Sequence, residues 1–92
     1  MSVKLGGYMF EHACYDHEVD VLYMRNGPSS DATDFGESPE GHHLRFAPDG
    51  TLLGITLVNP RWLLEQDGKI VVTLPDGSRL ETADLGPALA AA

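Results

Sequence analysis

The residues with the most reactive side chains lie near the start of the chain, where histidine, cysteine and carboxylate groups follow one another closely. They are His12, Cys14, Asp16, His17, Glu18 and Asp20. A cysteine beside a histidine can act as a nucleophile, and imidazole and carboxylate groups together can bind zinc or a similar ion. His12 and His17 are five positions apart across an expected turn, which matches no familiar zinc-ligand spacing. We therefore treat the six residues as a candidate polar cluster and assign no catalytic residue, metal ligand or cofactor.

Each member of this candidate polar cluster also has an ordinary structural role available to it. Asp16 can accept hydrogen bonds from backbone amides at a turn, and a lone cysteine such as Cys14 is typical of a small buried hydrophobe. The carboxylates can alternatively serve a metal ion or a basic partner. His42 and His43 are adjacent on an expected strand and so point to opposite faces, which prevents both from binding one ion.

The composition indicates a single small globular domain over residues 1–92. The chain has 42% hydrophobic residues, and a domain of this length buries only about 60 to 65% of the surface that its unfolded form exposes. Because so small a core gains from further burial, we expect a homo-oligomer, most simply a dimer. The single cysteine, Cys14, excludes an intrachain disulfide and favours the cytoplasm.

The charge of the chain excludes some classes of partner. Fourteen acidic residues against six lysines and arginines give a net charge of −8, which repels a nucleic-acid backbone. Seven of the acidic residues lie between Asp16 and Glu40, where Arg25 is the only basic residue, so this region is either a solvated acidic face or a surface for a basic protein partner. No stretch approaches the roughly 20 apolar residues of a membrane span, and we expect neither a membrane segment nor a signal peptide.

Short apolar and aromatic segments separated by turn formers predict a mainly β fold: an antiparallel sheet of about five to six strands, built from hairpins, with one or two short helices. The expected strands are residues 8–14, 21–24, 42–47, 51–58, 69–74 and 78–82. Pro48, Asp49 and Gly50 predict a tight hairpin turn with a bulge. Residues 25–40, rich in glycine, proline, serine and aspartate, predict a long acidic loop that Phe35 could anchor to the core.

Two helices are expected, both short. Asn59 is a candidate N-cap, Pro60 suits the first helical position, and Gly68 would end the helix after one or two turns. The alanine-rich residues 84–92 predict a C-terminal helix that Gly86 and Pro87 would shorten and that frays at its end.

The segment 51–58 is apolar on both sides, with Leu53, Ile55 and Leu57 on one and Leu52 and Val58 on the other. A strand with one side in water would alternate more cleanly, so we expect a central strand whose second side is covered by other parts of the protein or by another subunit. Trp62, on the expected helix, is a further candidate for a subunit contact. The candidate interface residues are therefore Trp62, Leu52 and Val58.

Two stretches, YDHEVDVLYM at residues 15–24 and DGTLLGITL at residues 49–57, together form a pattern. It resembles the bacterial family called domain of unknown function 2283, which shows Tyr-Asp, three residues, Asp, one residue and Leu-Tyr, followed later by Asp-Gly, three residues and Gly-Ile. The resemblance spans roughly residues 8–58. It implies a β fold and no mechanism, and Thr56 stands where the pattern leads us to expect an acidic residue.

Two classes of function are consistent with these patterns. The first is a non-enzymatic protein-interaction or oligomerisation module, which in one version neutralises a basic partner. The alternative is a small metal-dependent or cysteine-dependent enzyme whose site forms at a subunit interface. The sequence leaves both classes open.

Overall fold

The computed structural model describes residues 2–27 and 33–90, and within these ranges nine strands and two short helices form the fold. The strands are β1 (Val3–Leu5), β2 (Tyr8–Phe10), β3 (His12–Asp16), β4 (Val21–Arg25), β5 (Asp34–Glu37), β6 (His43–Phe46), β7 (Leu52–Val58), β8 (Ile70–Thr73) and β9 (Arg79–Thr82). The helices are α1 (Pro60–Asp67) and α2 (Gly86–Ala90). The mainly β class with two short helices is confirmed, although the strands outnumber the five or six expected.

The strands form one five-stranded sheet in the order β3-β4-β7-β6-β5 and two separate hairpins, β1-β2 and β8-β9. Every pairing is antiparallel. The apolar strand β7 is central in the five-stranded sheet, as its sequence predicts. It pairs with β4 on one side and β6 on the other.

The core lies on one face of the five-stranded sheet. Along β7, Ile55 and Leu57 are buried, and so are Leu22 and Leu44 on the neighbouring strands. Side chains from both hairpins and from α2 belong to the same cluster: Val3, Leu5, Phe10, Ile70, Val72, Leu80, Ala88 and Leu89. The hairpins and helices therefore cover one side of the sheet, in the two-layer arrangement that lets a sheet bury an apolar face.

The segment predicted as one strand over residues 8–14 is broken at Glu11. Asn26, at the end of β4, holds this corner with its side chain: Glu11 N donates to Asn26 Oδ1 at 2.7 Å, and Asn26 Nδ2 donates to Met9 O at 2.8 Å. Because both backbone groups bond to a residue outside the strand, β2 and β3 diverge and join different sheets.

Two strands, β1 and β5, were not predicted. β1 is joined to β2 through Gly6 and Gly7, a glycine pair typical of a hairpin turn. β5 lies within the predicted acidic loop and pairs with β6, while residues 28–32 of that loop lie outside the described residues. Phe35 on β5 is 70% exposed, so the prediction that it anchors the loop in the core is wrong.

The hairpin between β6 and β7 has the predicted turn and bulge. Gly50 has φ 89° and donates to Ala47 O at 2.9 Å, and Ala47 N donates to Thr51 O at 2.8 Å. The register shifts between Arg45 and Phe46. Because of this irregularity, Leu52 pairs with Phe46 and is only 7% exposed, on the core side of the sheet. The prediction that Leu52 lies on the side opposite Ile55 and Leu57 is therefore wrong.

Helix α1 begins at Pro60, as predicted, but its amides are capped by a different residue from the one expected. Asn59 has φ 59° and makes no side-chain capping bond. The carboxylate of Asp20 accepts from Arg61 N and from Trp62 N, both at 3.1 Å. The helix ends where expected, with Gly68 N donating to Leu64 O at 3.0 Å.

The C-terminal helix is confirmed in shortened form. α2 includes Gly86 and Pro87 in its first turn, and Leu89 N donates to Leu85 O at 3.0 Å. Proline is tolerated there because the first amides of a helix have no intrahelical acceptor. The helix was predicted to fray at its end, and residues 91 and 92 of the predicted range 84–92 lie outside the described part of the chain.

Candidate functional site

The second face of the five-stranded sheet is left uncovered by the elements described above, and we call it the open face. Cross-strand pairing arranges its side chains in three rows. The rows are Cys14–Tyr23–Thr56–His43–Glu37, His12–Arg25–Gly54–Arg45–Phe35, and Asp16–Val21–Val58. The two longer rows extend across all five strands of the sheet.

The open face brings together charges that are scattered in the sequence. Arg25 and Arg45 both pair with Gly54, so they flank a glycine from two neighbouring strands, with about 10 Å between their backbones. Glu37 and Asp16 lie on the outermost strands. The two arginines and two carboxylates give these four positions of the open face a net charge of zero, although the net charge of the whole chain is −8.

Large apolar and aromatic groups lie among these charges. Tyr23 is 46% and Phe35 70% exposed, and Val21 and Val58 are half-buried. Two shallow cavities meet over Thr56. One, of about 280 Å³, lies between His12, Cys14 and Arg25, and the other, of about 390 Å³, is bounded by Val21, Phe35 and His43. Exposed aromatic residues beside arginines are typical of protein interfaces.

The candidate polar cluster does not converge on one point. His12, Cys14 and Asp16 alternate along β3 and share the open face, whereas His17 and Glu18 lie in the turn that follows. Asp16 Oδ1 accepts from Glu18 N at 3.1 Å, which confirms its predicted role at a turn. Among residues 2–27 and 33–90, no group of three or more histidine, cysteine or acidic side chains could hold a metal ion.

Asp20, the last member of the candidate polar cluster, has a structural role that links three elements. Besides capping α1, its Oδ1 accepts from the Tyr15 hydroxyl at 2.8 Å, and its backbone oxygen accepts from Asn59 N at 2.8 Å. Burial, and then the bond to Asp20, raises the pKa of Tyr15. The Arg61 guanidinium lies 5.4 Å from the centre of the Tyr15 ring. Asp20 thus fixes the β3–β4 turn against the start of α1.

Three of the other expectations have clear outcomes. Cys14 is exposed, so the prediction that it is a buried hydrophobe is wrong. His42 is buried and His43 is exposed, which confirms that they point to opposite faces. Leu52 is buried in its own chain and is therefore not available as an interface residue.

The remaining two candidate interface residues keep exposed surface. Val58 lies half-buried on the open face, and Trp62 on α1 is 54% exposed. Their contact with another subunit stays a prediction. The sequence did not predict that Arg25, Arg45 and Phe35 lie together on one face of the sheet. The alternation of apolar Leu44 with charged Arg45 in β6 was the one signal that Arg45 points away from the core.

A second polar contact joins the five-stranded sheet to the β8-β9 hairpin. Glu40 Oε1 accepts from Thr73 N at 2.9 Å, and Glu40 Oε2 accepts from the Thr73 hydroxyl at 2.6 Å. Burial alone would raise the pKa of Glu40, but the Thr73 side-chain and backbone bonds outweigh it and lower the pKa from 4.5 to about 2. The carboxylate is therefore ionised while it bridges the two sheets.

This contact predicts a pH-dependent stability difference. Because the folded pKa of about 2 lies below the ordinary 4.5, the Glu40 contribution is complete above the ordinary value and is lost as pH falls toward 2. We expect Glu40→Gln to lower the unfolding free energy by about 1 kcal/mol near neutral pH, a figure reduced for solvent screening. Urea unfolding across the acid range should show the difference disappear. Glu65→Gln, an exposed carboxylate on α1, is the control, and an equal loss in both variants would contradict the bridge.

With the geometry described, the protein is defined as a small antiparallel β protein with one open sheet face. Comparison with protein-family models gave no match, and searches of curated proteins and of solved structures gave none either. The resemblance of residues 8–58 to domain of unknown function 2283 stays a prediction. In the described ranges, no helix has the length and apolar character needed to cross a membrane.

Proposed function

We propose that the protein is a non-enzymatic oligomerisation module and that a second copy of the chain packs on its open face. The observation that carries this proposal is the exposure of two aromatic side chains, Tyr23 and Phe35, on a sheet face that no other described element covers. In a chain with so small a core, covering these side chains in a dimer adds burial that the monomer lacks.

Charge supports a second copy as the occupant. Arg25 and Arg45 lie inside the open face, and Asp16 and Glu37 lie on its outer strands, so two copies related by a two-fold axis can pair opposite charges. The same arginines disfavour a basic protein at this face. A partner of that kind would have to use the acidic surfaces elsewhere on the chain.

The distribution of the candidate polar cluster weighs against the alternative, an enzyme. Of its six members, only His12, Cys14 and Asp16 share the open face, on an edge strand. Asp20 is held by the Tyr15 hydroxyl and by the amides of α1. A catalytic site requires its acid, base and nucleophile within hydrogen-bond reach of one reacting group.

The proposal predicts that negative charge on the open face abolishes self-association. Tyr23→Glu and Phe35→Glu should each convert a dimer into a monomer in sedimentation equilibrium, because each replaces an apolar ring that the interface would bury with a charged carboxylate that loses its hydration there. Met9→Glu is the matched control, since Met9 is 55% exposed and lies on the β1-β2 hairpin, outside the five-stranded sheet. A monomeric unmodified protein, or dimers that persist in both variants, would refute the proposal.

A further inference from the structure

A separate cavity of about 470 Å³ lies between α1, the β8-β9 hairpin and the turn that joins β5 to β6. It shares no lining residue with the two cavities of the open face. Its size is within the range of small-molecule sites, and it lies where separate structural elements meet, as such sites commonly do.

One wall of this cavity holds a buried hydrogen-bond donor without an acceptor. His42 is 1% exposed, and its Nδ1 accepts from Val58 N at 3.1 Å. In a neutral imidazole the proton then resides on Nε2, which is buried and has no hydrogen-bond partner in the described ranges. Burial lowers the pKa of His42, which keeps the ring neutral.

The histidine is held firmly in place. Ser38 N donates to His42 O at 2.7 Å, and His42 N donates to the Ser38 hydroxyl at 3.1 Å. The bonds from Glu40 to Thr73 then fix the same turn against β8. A buried polar group left without a partner costs free energy, so a donor fixed in this way favours a ligand that supplies an acceptor.

The rest of the lining carries both signs of charge and an apolar patch. Arg79 and Lys69 supply cations, and Glu40 and Asp67 supply carboxylates. Lys69 Nζ already lies 3.6 Å from Glu81 Oε1, whereas Arg79 forms no ion pair with any residue that the structure describes. The apolar part of the lining consists of Leu63, Ile70 and Val71.

We propose that this cavity binds a small zwitterion with an aliphatic side chain, that is, an aliphatic α-amino acid. Its carboxylate accepts from His42 Nε2 and faces Arg79, and its ammonium group faces Asp67. Its side chain packs against Leu63 and Ile70. The site is independent of self-association, because none of its residues belongs to the open face.

Three matched probes test this proposal: L-leucine, 4-methylpentanoate, which lacks the ammonium group, and 3-methylbutylamine, which lacks the carboxylate. We expect leucine to shift the His42 ring resonances and the Arg79 amide resonance in NMR titrations. Each truncated probe should bind with a dissociation constant at least about tenfold higher than that of leucine. Arg79→Gln and Asp67→Asn should each weaken leucine binding, while Arg45→Gln on the open face should not.

The same titrations can overturn the proposal. Equal binding of 4-methylpentanoate would show a carboxylate site without zwitterion recognition. Absence of any shift at millimolar leucine in the folded, unmodified protein would show that this cavity does not bind an amino acid. Because both results are read from the ligand cavity, neither depends on whether the chain forms dimers.

Discussion

Gly54→Ala should lower the unfolding free energy by about 2 to 3 kcal/mol, the cost of forcing an extra methyl group against the backbone of a neighbouring strand. A Cβ at this position would lie 2.9 Å from the backbone oxygen of Met24 on the neighbouring strand. Backbone in the middle of a sheet cannot move aside without disturbing its hydrogen bonds, so the collision has to be relieved by shifting β4 or β7. Urea unfolding followed by the fluorescence of Trp62, the single tryptophan, measures the loss.

Gly36→Ala is the matched control for this prediction, because it adds the same methyl group to a strand of the same sheet. Its Cβ would meet Phe46 Cε2 at 3.7 Å, an ordinary contact. We expect little change in stability. Equal losses at both positions would mean that the close approach of Met24 does not determine the cost, because alanine by itself favours a strand more than glycine does.

Asp20→Ala should lower the unfolding free energy by about 2 to 3 kcal/mol, through loss of a helix cap and of a partly buried hydrogen bond. The change removes acceptors from the amides of Arg61 and Trp62 and leaves the hydroxyl of Tyr15, which is 5% exposed, without a partner. Alanine is also strained at the φ of 55° that Asp20 adopts. The same urea titration reports the effect.

Asp20→Asn separates these causes. Asparagine tolerates the left-handed backbone and keeps one oxygen acceptor, so we expect it to lose only about 1 kcal/mol. If the Asp20→Ala variant had the same unfolding free energy as the unmodified protein, the contacts of Asp20 between the β3–β4 turn and α1 would not contribute to stability. If the asparagine and alanine variants lost equal amounts, the negative charge itself would be the important feature.

Much of the fold could be predicted because local chemistry specifies it. The turn at Pro48–Gly50, the start of α1 at Pro60 and its end at Gly68 each depend on residues a few positions apart. The central position of β7 followed from its apolar character on both sides. Such features need no knowledge of the remaining chain.

The features that were missed depend on contacts between distant residues. The break at Glu11 is made by Asn26, and the cap of α1 is supplied by Asp20, 41 positions before Arg61. β5 has a weak strand sequence and exists because β6 offers it an edge. The open face is similar: Arg25 and Arg45 become neighbours only through the order of the strands, which no local pattern specifies.

Thiol reactivity at the centre of the open face tests the proposed dimer most directly. Thr56→Cys in a Cys14→Ser background places the only thiol on the central strand β7, opposite Tyr23 of β4. The control, Ser78→Cys in the same background, places the only thiol in an exposed turn. We expect alkylation at position 56 to slow as protein concentration rises, in step with the fraction of dimer, while the rate at position 78 stays constant. A rate at position 56 that does not change with concentration, whether the protein is monomeric or dimeric by mass, would contradict self-association through this face.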